Sequence, residues 1–93
     1  MIIVRESFIA KPGMASKLAK LMKEVAEMPG GKAHVMTDMT GRFNKVVIET
    51  EFENMAEFEK RMTQYRENKD MGDKMKGYTD MYQTGKREIY MVW

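Results

Sequence analysis

The order of the hydrophobic periodicities along this chain constrains its fold more than any other feature. Apolar residues alternate over residues 2–10, recur with helical spacing in the next segment, alternate in two further segments, return to helical spacing, and alternate once more at the end. Alternation is typical of strands, and a repeat of about 3.6 residues is typical of helices. The sequence therefore predicts an α+β fold of order β-α-β-β-α-β, with one four-stranded antiparallel sheet and helices on one face.

The predicted elements begin and end at residues that favour such boundaries. They cover, in chain order, residues 2–10, 14–28, 32–39, 44–52, 55–85 and 86–93. Pro12 suits the first turn of a helix, Gly30 follows the end of one, and Asn54 is a good N-terminal cap. The pattern weakens over residues 68–72, which predicts two consecutive helices or one kinked helix up to Gly85. Because no linker or internal repeat interrupts the pattern, the 93 residues are predicted to form a single domain.

Composition excludes several classes of function. The chain has no cysteine, which rules out disulfides, thiolate metal sites and cysteine nucleophiles. Its 16 Lys and Arg residues are interleaved with 14 Asp and Glu residues, so the net charge of +2 provides no basic surface for nucleic acid. No apolar run approaches the roughly 20 residues of a membrane-spanning helix, and the first residues do not resemble a signal peptide. We therefore expect a cytoplasmic protein that binds neither membranes nor nucleic acid.

The predicted strands can be arranged and divided into faces. Right-handed connections in each half place them in the order 4-1-3-2, a ferredoxin-like sheet with the first and third strands central. Side chains alternate between the two faces of a strand. The helix-covered face is assigned the more apolar set, which is Ile2, Val4, Phe8, Ala33, Val35, Met39, Val46, Ile48, Phe52, Ile89, Met91 and Trp93, with Glu6 and Thr50 as polar exceptions. The open face is assigned Ile3, Arg5, Ser7, Ile9, His34, Met36, Asp38, Val47, Glu49, Glu51, Glu88, Tyr90 and Val92.

This open face is neither fully polar nor fully apolar. A half-apolar sheet surface of this size seldom stays exposed, and a domain of this length buries only roughly 60–65% of its unfolded surface. We therefore expect the protein to form a homodimer through the open face. Such a dimer would enclose a cavity with polar groups between the two sheets.

RNA-recognition motifs share this order of elements. They bind RNA through aromatic side chains on the first and third strands of the open face. At those places this chain has Arg5, Ser7, Val47 and Glu49. The lack of aromatic side chains there, and an acid where phosphates would lie, argue against RNA binding.

Several segments together carry a resemblance to a known family. They are the opening strand with Lys11-Pro12-Gly13, the hairpin, the strand from Phe43 to Phe52 that leads into Asn54-Met-Ala-Glu-Phe, and the terminal strand. Over essentially its whole length the chain resembles the dimeric α+β barrel superfamily, and within it the small NIPSNAP-type and antibiotic-biosynthesis-monooxygenase-type domains. The resemblance implies sheets paired back to back and an enclosed space that many members use for a small hydrophobic ligand. It implies no single activity, because members include cofactor-free oxygenases, haem-degrading enzymes, isomerases and proteins without known chemistry.

Four residues of the open face are candidates for chemistry. Arg5 and Glu49 lie on neighbouring central strands, where they either orient an anionic ligand or form a cross-strand ion pair. Tyr90 either donates to a developing oxyanion or serves as an aromatic wall. His34 is the only histidine, and it either acts as a base near neutral pH or has no catalytic role. One histidine excludes multi-histidine metal sites, and the haem-degrading members use a helix-borne histidine, so we expect neither a metal nor a cofactor.

Twelve methionines are an unusual number for a chain of 93 residues. A methionine-rich lining suits an adaptable pocket for apolar or aromatic ligands, whereas helical spacing of most of them indicates core filling. Met36 and Met39 have the spacing of soft copper sites, but alternation along a strand sends them to opposite faces.

These observations predict a homodimer that binds a small apolar or aromatic molecule in a cavity between or beside the sheets. The predicted ligand contacts are Arg5, Ser7, Met36, Val47, Glu49 and Tyr90. The alternative is a cofactor-independent monooxygenase or isomerase acting on an enolisable aromatic or polyketide-like substrate. In that case Arg5 and Tyr90 would stabilise the anion, and His34 or Glu49 would be the base. An Arg5 side chain fully engaged by Glu49, or a collapsed cavity, would remove the basis of this alternative.

Overall fold

The computed structural model describes residues 1–27 and 33–93. Its elements are β1 (Ile2–Ala10), α1 (Ala15–Ala26), β2 (Ala33–Thr37), β3 (Lys45–Phe52), α2 (Met55–Glu67), α3 (Lys69–Lys74), a 3₁₀ turn (Tyr78–Asp80) and β4 (Tyr82–Met91). This confirms the predicted order, with the second helical region divided into α2 and α3. The predicted end of the first helix, at Met28 and Pro29-Gly30-Gly31, and the predicted strand residue Lys32 lie outside the described residues.

The four strands form one antiparallel sheet in the order β2-β3-β1-β4. This is the predicted order, and it places β1 and β3 at the centre. Arg5 lies opposite Glu49 of β3 and Glu88 of β4. Its neighbour Val4 lies opposite Thr50 of β3, one position along the strand and on the other face. Because opposite residues of an antiparallel pair share a face, this register confirms the predicted division of the central strands.

Helix α1 covers one end of the sheet through a single apolar stripe. Leu18 and Met22 are four residues apart, so their side chains lie on the same side of the helix. They pack with Phe8 and Val46 of the central strands in one buried cluster. Leu18 and Val46 have no exposed surface. The apolar stripe predicted for this helix therefore faces the sheet.

Helix α2 begins at the cap that the sequence predicts and covers another part of the sheet. The side-chain oxygen of Asn54 accepts a hydrogen bond from the N–H of Glu57 at 3.0 Å. Phe58, one residue further along, packs on Val4 in a second buried cluster. Its ring meets that of Phe52 in an edge-to-face contact with 5.5 Å between centroids, a geometry that aromatic pairs favour.

Asn68 separates α2 from α3. Its backbone is extended, with φ −88° and ψ 109°, so the helical hydrogen bonds of α2 stop there. Its side-chain oxygen accepts the N–H of Met71 at 3.1 Å and caps the start of α3. The weakened pattern over residues 68–72 thus marks a boundary between two consecutive helices.

Strand β4 begins at Tyr82, earlier than the predicted start at Lys86. The prediction was wrong because Tyr82 continues the helical spacing of the preceding apolar residues. Helix α3 ends at Lys74, and Gly77 leads into the 3₁₀ turn with φ +84°, a backbone conformation that strongly favours glycine. Tyr82 then pairs with Ala10, and its ring packs on that of Phe8 at 4.9 Å between centroids.

Gly85 lies inside β4, opposite Phe8, and does not end a helix as predicted. A Cβ atom at this position would approach two atoms of the Phe8 ring to 3.2 Å. The glycine therefore lets the aromatic ring lie close to the backbone of the edge strand.

The connection between β2 and β3 is longer than predicted, because β2 ends at Thr37 and β3 begins at Lys45. The carboxylate of Asp38 accepts the backbone N–H groups of residues 40–42 at 2.8–3.1 Å. These hydrogen bonds hold the chain in a compact loop, as aspartate commonly does in turns. Met39 consequently lies in the loop with 94% exposure, and its predicted place on the helix-covered face is wrong.

The C-terminal residues of the sheet are not covered by the helices. Met91 is 68% exposed, and Trp93, beyond the end of β4, is fully exposed. The prediction that these two side chains pack under the helices is wrong. The buried clusters take their strand residues from β1 and β3, while β4 is an edge strand.

Truncation of Leu18 should strongly destabilise the protein, because the side chain is fully buried in the cluster under α1. We expect Leu18→Ala to lower the free energy of unfolding by about 2–5 kcal/mol in urea titrations. Lys20→Ala, at an exposed position of the same helix, should change it by no more than about 0.5 kcal/mol. Similar values for the two variants would show that α1 does not pack as described.

The hairpin loop should make stability depend on pH. Hydrogen bonds from the backbone of residues 40–42, led by that of Gly41, lower the pKa of Asp38 below its usual value. A carboxyl group with a lowered folded-state pKa stabilises the protein above its unfolded-state pKa, about 3.9, and loses this contribution as the pH falls through the folded-state pKa. Asp38→Asn should therefore lower the free energy of unfolding at pH 7 and reduce its change between pH 7 and pH 3. Glu53→Gln, at an exposed position, is the control, and an equal effect of both variants would contradict this role.

Candidate functional site

The open face of the sheet carries a row of four polar side chains. His34 of β2 lies opposite Glu49 of β3. Glu49 lies opposite Arg5 of β1, and Arg5 lies opposite Glu88 of β4. Tyr90 stands two residues beyond Glu88 on the same strand. The four candidates for chemistry that the sequence indicates are thus brought to one region of one face.

Arg5 is held by two of these neighbours. Its Nε donates a hydrogen bond to Oε2 of Glu49 at 2.6 Å, and its guanidinium carbon lies 5.1 Å from the centre of the Tyr90 ring. The hydrogen bond to Glu49 raises the pKa of Arg5, while burial opposes the shift and the charge of Glu49 adds to it. The two side chains remain 41% and 27% exposed. In a single chain, an ion pair this accessible to water stabilises the fold by no more than about 1 kcal/mol.

Tyr90 is bound to Glu88. The Tyr90 hydroxyl donates to Oε2 of Glu88, and this hydrogen bond is the largest cause of a raised pKa of Tyr90 and a lowered pKa of Glu88. The ammonium of Lys86, 3.7 Å from Glu88, also favours the charged carboxylate. At neutral pH Tyr90 is therefore a neutral phenol beside an anion. A ligand oxyanion would have to displace Glu88 to reach this hydroxyl.

His34 is exposed on the edge strand β2. Its imidazole makes no hydrogen bond or ion pair with residues 1–27 or 33–93. A general base is usually positioned by a partner that orients it, and the described part of the chain provides none for this ring.

A second row on the open face contains the remaining predicted ligand contacts. Met36, Val47 and Ser7 lie opposite one another on β2, β3 and β1, and Lys86 completes the row on β4. Val47 and Ser7 are half-buried, and Met36 is 40% exposed. The six residues predicted to contact a ligand therefore share one face, and a second sheet packed on it would turn both rows into the lining of an enclosed space.

The other face of the sheet holds a cavity of about 310 Å³ between the central strands and the helices. Most of its lining is apolar or aromatic. The lining residues are Val4, Glu6, Phe8, Met22, Val25, Ala26, Ala33, Ile48, Thr50, Phe52, Phe58, Met62, Tyr65, Arg66, Met71, Gly72, Met75, Tyr78 and Arg87. Met22 and Met71 are buried and the other two methionines are half-buried, so these four side chains both fill the core and line the cavity.

A small number of polar side chains interrupt this apolar lining. Glu6 of β1 and Arg87 of β4 lie opposite each other, and Nη2 of Arg87 is 3.2 Å from Oε2 of Glu6. The Arg87 guanidinium also lies over the ring of Phe58, 5.5 Å from its centre. Arg66, in the last turn of α2, contributes a second guanidinium, which donates to the Thr63 hydroxyl at 3.3 Å. The cavity therefore has oriented hydrogen-bonding groups as well as apolar walls.

Tyr78 adds a hydroxyl to the same wall. Burial is the largest cause of its raised pKa, and the neighbouring Tyr82, with 5.7 Å between ring centroids, raises it further. The phenol is therefore neutral at physiological pH and remains a hydrogen-bond donor.

The helix-side cavity was not predicted from the sequence, although the sequence contains a signal for it. Glu6 and Thr50 are the polar exceptions of the predicted helix-covered face, and Arg87 belongs to neither predicted face. Glu6 lies between apolar residues on the helix-covered face of a central strand, and Arg87 lies opposite it on β4. A carboxylate at such a position needs a partner of opposite charge. Only the register shows that the two charges are partners.

The described residues form neither a metal-ligating cluster nor a membrane-spanning helix. Within residues 1–27 and 33–93, no three His, Cys, Asp or Glu side chains are grouped as a metal ion would need. No helix formed by these residues is long and apolar enough to cross a bilayer.

Removal of the Glu88 carboxylate should lower the pKa of Tyr90, because the hydrogen bond to Glu88 is the main cause of its elevation. In Glu88→Gln the phenol should titrate closer to the ordinary value of about 10. NMR titration of ¹³C-labelled tyrosine measures this, with Tyr90→Phe to assign the resonance. Glu51→Gln, on the same face, should leave the Tyr90 titration unchanged. The same Tyr90 pKa in wild type and Glu88→Gln would contradict the described hydrogen bond.

Solved structures of other proteins share this architecture over nearly the whole chain. A NIPSNAP domain protein from Burkholderia xenovorans is similar with a TM-score of 0.86 and 8% sequence identity, over 100% of this chain and 95% of that chain. A NIPSNAP family protein from Agrobacterium tumefaciens has a TM-score of 0.86 and 12% identity, over 99% and 85% of the two chains. An antibiotic biosynthesis monooxygenase has a TM-score of 0.74 and 13% identity, over 100% and 99%.

Sequence comparison gives no comparable likeness. No protein-family profile matches the chain, and no curated protein matches its sequence. At 8–13% identity the structural likeness establishes the fold and not an activity. The resemblance predicted from the sequence is confirmed at this level: the chain has the ferredoxin-like α+β fold found in NIPSNAP domain proteins and antibiotic biosynthesis monooxygenases.

Proposed function

We propose that this protein acts as a homodimer and binds a small apolar or aromatic molecule in the cavity between its helices and its sheet. The cavity of about 310 Å³ is the observation that carries this proposal. The open face on the other side of the sheet serves as the dimer surface. The helix side of the sheet thus binds the ligand, and the open face forms the dimer interface.

The size and chemistry of the cavity support ligand binding. Pockets for small molecules usually have volumes of roughly 300–1,000 Å³ and apolar or aromatic walls with a few polar groups. This cavity lies at the lower end of that range, which favours a compact ligand of no more than about three rings. Its four methionines can adjust to the shape of an apolar ligand, because their side chains are flexible and polarizable.

The composition of the open face supports a dimer. Ile3, Ile9 and Val47 are half-buried apolar residues on this face, and a second sheet would remove them from water. The charges between them are already paired, since Arg5 binds Glu49 within the same chain. Burial of a paired charge costs much less than burial of an isolated one.

A space between two paired sheets offers a second place for a ligand within the same function. Its contacts would be those predicted from the sequence, Arg5, Ser7, Met36, Val47, Glu49 and Tyr90. These residues line the two rows of the open face and none of them lines the cavity on the helix side.

Catalysis has less support than binding. The name of one protein of the same fold, antibiotic biosynthesis monooxygenase, favours the alternative of a cofactor-independent monooxygenase or isomerase. However, Arg5 is bound to Glu49 at 2.6 Å, and the Tyr90 hydroxyl is bound to Glu88. Arg5 and Tyr90, the two groups that would stabilise an anion, thus already have partners within the chain. We therefore propose ligand binding as the function.

The neutral fluorescent probe N-phenyl-1-naphthylamine should bind to the cavity and saturate at one probe per chain. Thr50 lies on the sheet wall of the cavity, so the larger side chain in Thr50→Phe should fill space that the probe needs. Phenylalanine is favourable in strands, and circular dichroism should show an unchanged fold. We expect Thr50→Phe to bind the probe at least about tenfold more weakly.

Gln64→Phe, at an exposed position of α2, is the control for the added aromatic ring and should bind the probe as the wild type does. If the wild type shows no saturable fluorescence, the cavity does not bind ligands of this class. If Thr50→Phe binds as well as the wild type, the probe lies elsewhere.

Light scattering should give twice the mass of one chain. Val47→Arg places a new charge at the centre of the open face and should produce a folded monomer. Gln64→Arg adds the same charge on α2 and should remain a dimer. A wild-type protein that stays monomeric at high concentration would refute the dimer, while a dimeric Val47→Arg would show that another surface is used.

A further inference from the structure

We propose that the ligand of the helix-side cavity is an apolar or aromatic monoanion, such as a monocarboxylate, whose charged group binds near Arg66. This inference rests on the proposed function and adds the chemical class of the ligand.

The charges of the lining favour a single negative charge. Within residues 1–27 and 33–93, the acidic and basic side chains of the lining are those of Glu6, Arg66 and Arg87. Glu6 and Arg87 form an ion pair at 3.2 Å, so their charges largely cancel. The guanidinium of Arg66 remains, which gives the described residues of the lining a net charge of +1. A monoanion would neutralise this charge, and because Arg66 is exposed, salt should screen the attraction between them.

Arg66 has hydrogen-bond donors available for such a group. Its Nη2 donates to the Thr63 hydroxyl at 3.3 Å. Across residues 1–27 and 33–93 it forms no ion pair with any carboxylate. A guanidinium carries five N–H donors in a planar fork that matches the two oxygens of a carboxylate. Arg87 is less suited to bind the charged group of a ligand, because its guanidinium already contacts Glu6 and the ring of Phe58.

The rest of the cavity requires that the ligand be apolar apart from this one group. Away from the charged side chains, the polar groups of the lining are those of Thr50, Tyr65 and Tyr78. Methionine and phenylalanine side chains form most of the remaining wall and would have to be matched by an apolar or aromatic body. Ligands with several charges would leave some of them unpaired in an apolar site, which costs free energy.

Three compounds with the same ring system and different charge test this inference. They are 2-naphthoate, the neutral 2-naphthalenemethanol and the cationic 2-naphthylmethylammonium, each used to displace N-phenyl-1-naphthylamine from the dimer, with calorimetry of naphthoate as a second measurement. In wild type, naphthoate should displace the probe at a concentration about tenfold lower than the alcohol, and the cation should be the weakest competitor. The preference for naphthoate should decline as salt is added.

Substitutions of Arg66 should change, in steps, the preference for naphthoate over the neutral and the cationic compound. Arg66→Gln brings the net charge of the lining to zero and should make naphthoate and the alcohol equal. Arg66→Lys retains the charge and should retain part of the preference. Arg66→Glu reverses the net charge and should make the cation the best competitor. Arg42→Gln removes the same charge from the exposed hairpin loop and should behave as wild type, which controls for the change in total charge.

Equal displacement by naphthoate and the alcohol in wild type would overturn the inference and leave the ligand cavity intact. An undiminished preference in Arg66→Gln, with circular dichroism showing a native fold, would also overturn it. Failure of the probe and of all three naphthalene compounds to bind would instead reject the proposed function together with the inference.

Discussion

The register between β1 and β3 is the constraint on which the rest of the structure depends. It places Val4 and Phe8 against the helices and Arg5 on the opposite side beside Glu49. Side chains alternate along a strand, so a slip of one residue would move the apolar set to the open face and the charged set into the core. The burial of Val46 and Leu18 without exposed surface depends on this register being kept.

Two consecutive residues of β1 show how the same register creates both candidate sites. Arg5 pairs with Glu49 on the open face, and Glu6 pairs with Arg87 on the helix side. Both of these charges on β1 are thus matched by a partner from a neighbouring strand. The pairing reduces the cost of covering the open face with a second sheet. On the helix side, the same kind of pair borders a cavity that the helices leave unfilled.

The division of the second helical region contributes to that cavity. Asn68 ends α2 and caps α3, so two short helices occupy the place of one long helix. Arg66 near the end of α2 and Met71 near the start of α3 both line the cavity. The break therefore sets an arginine and a methionine on either side of one helix boundary. This combination of a charge with apolar walls is what favours an amphipathic ligand.

Local patterns were enough to predict the order of elements, the order of strands and the cap at Asn54, because each depends on residues close together in sequence or on general rules of chain connection. The start of β4 was not predictable in this way. Tyr82 fits a helical repeat, and only its contact with Phe8 from a distant strand places it in the sheet. Asp38 likewise ends β2 through hydrogen bonds to the residues that follow it, although alternation alone would continue the strand.

The sequence by itself determined the fold and the two faces of the central strands, since periodicity is a property of the chain alone. It also identified Arg5 and Glu49 as neighbours, because both lie on central strands with the same facing. The tertiary structure decided where a ligand can be held. The pairing of Glu6 with Arg87 and the space between helices and sheet arise from segments far apart in the chain, and no periodicity encodes how closely such segments approach.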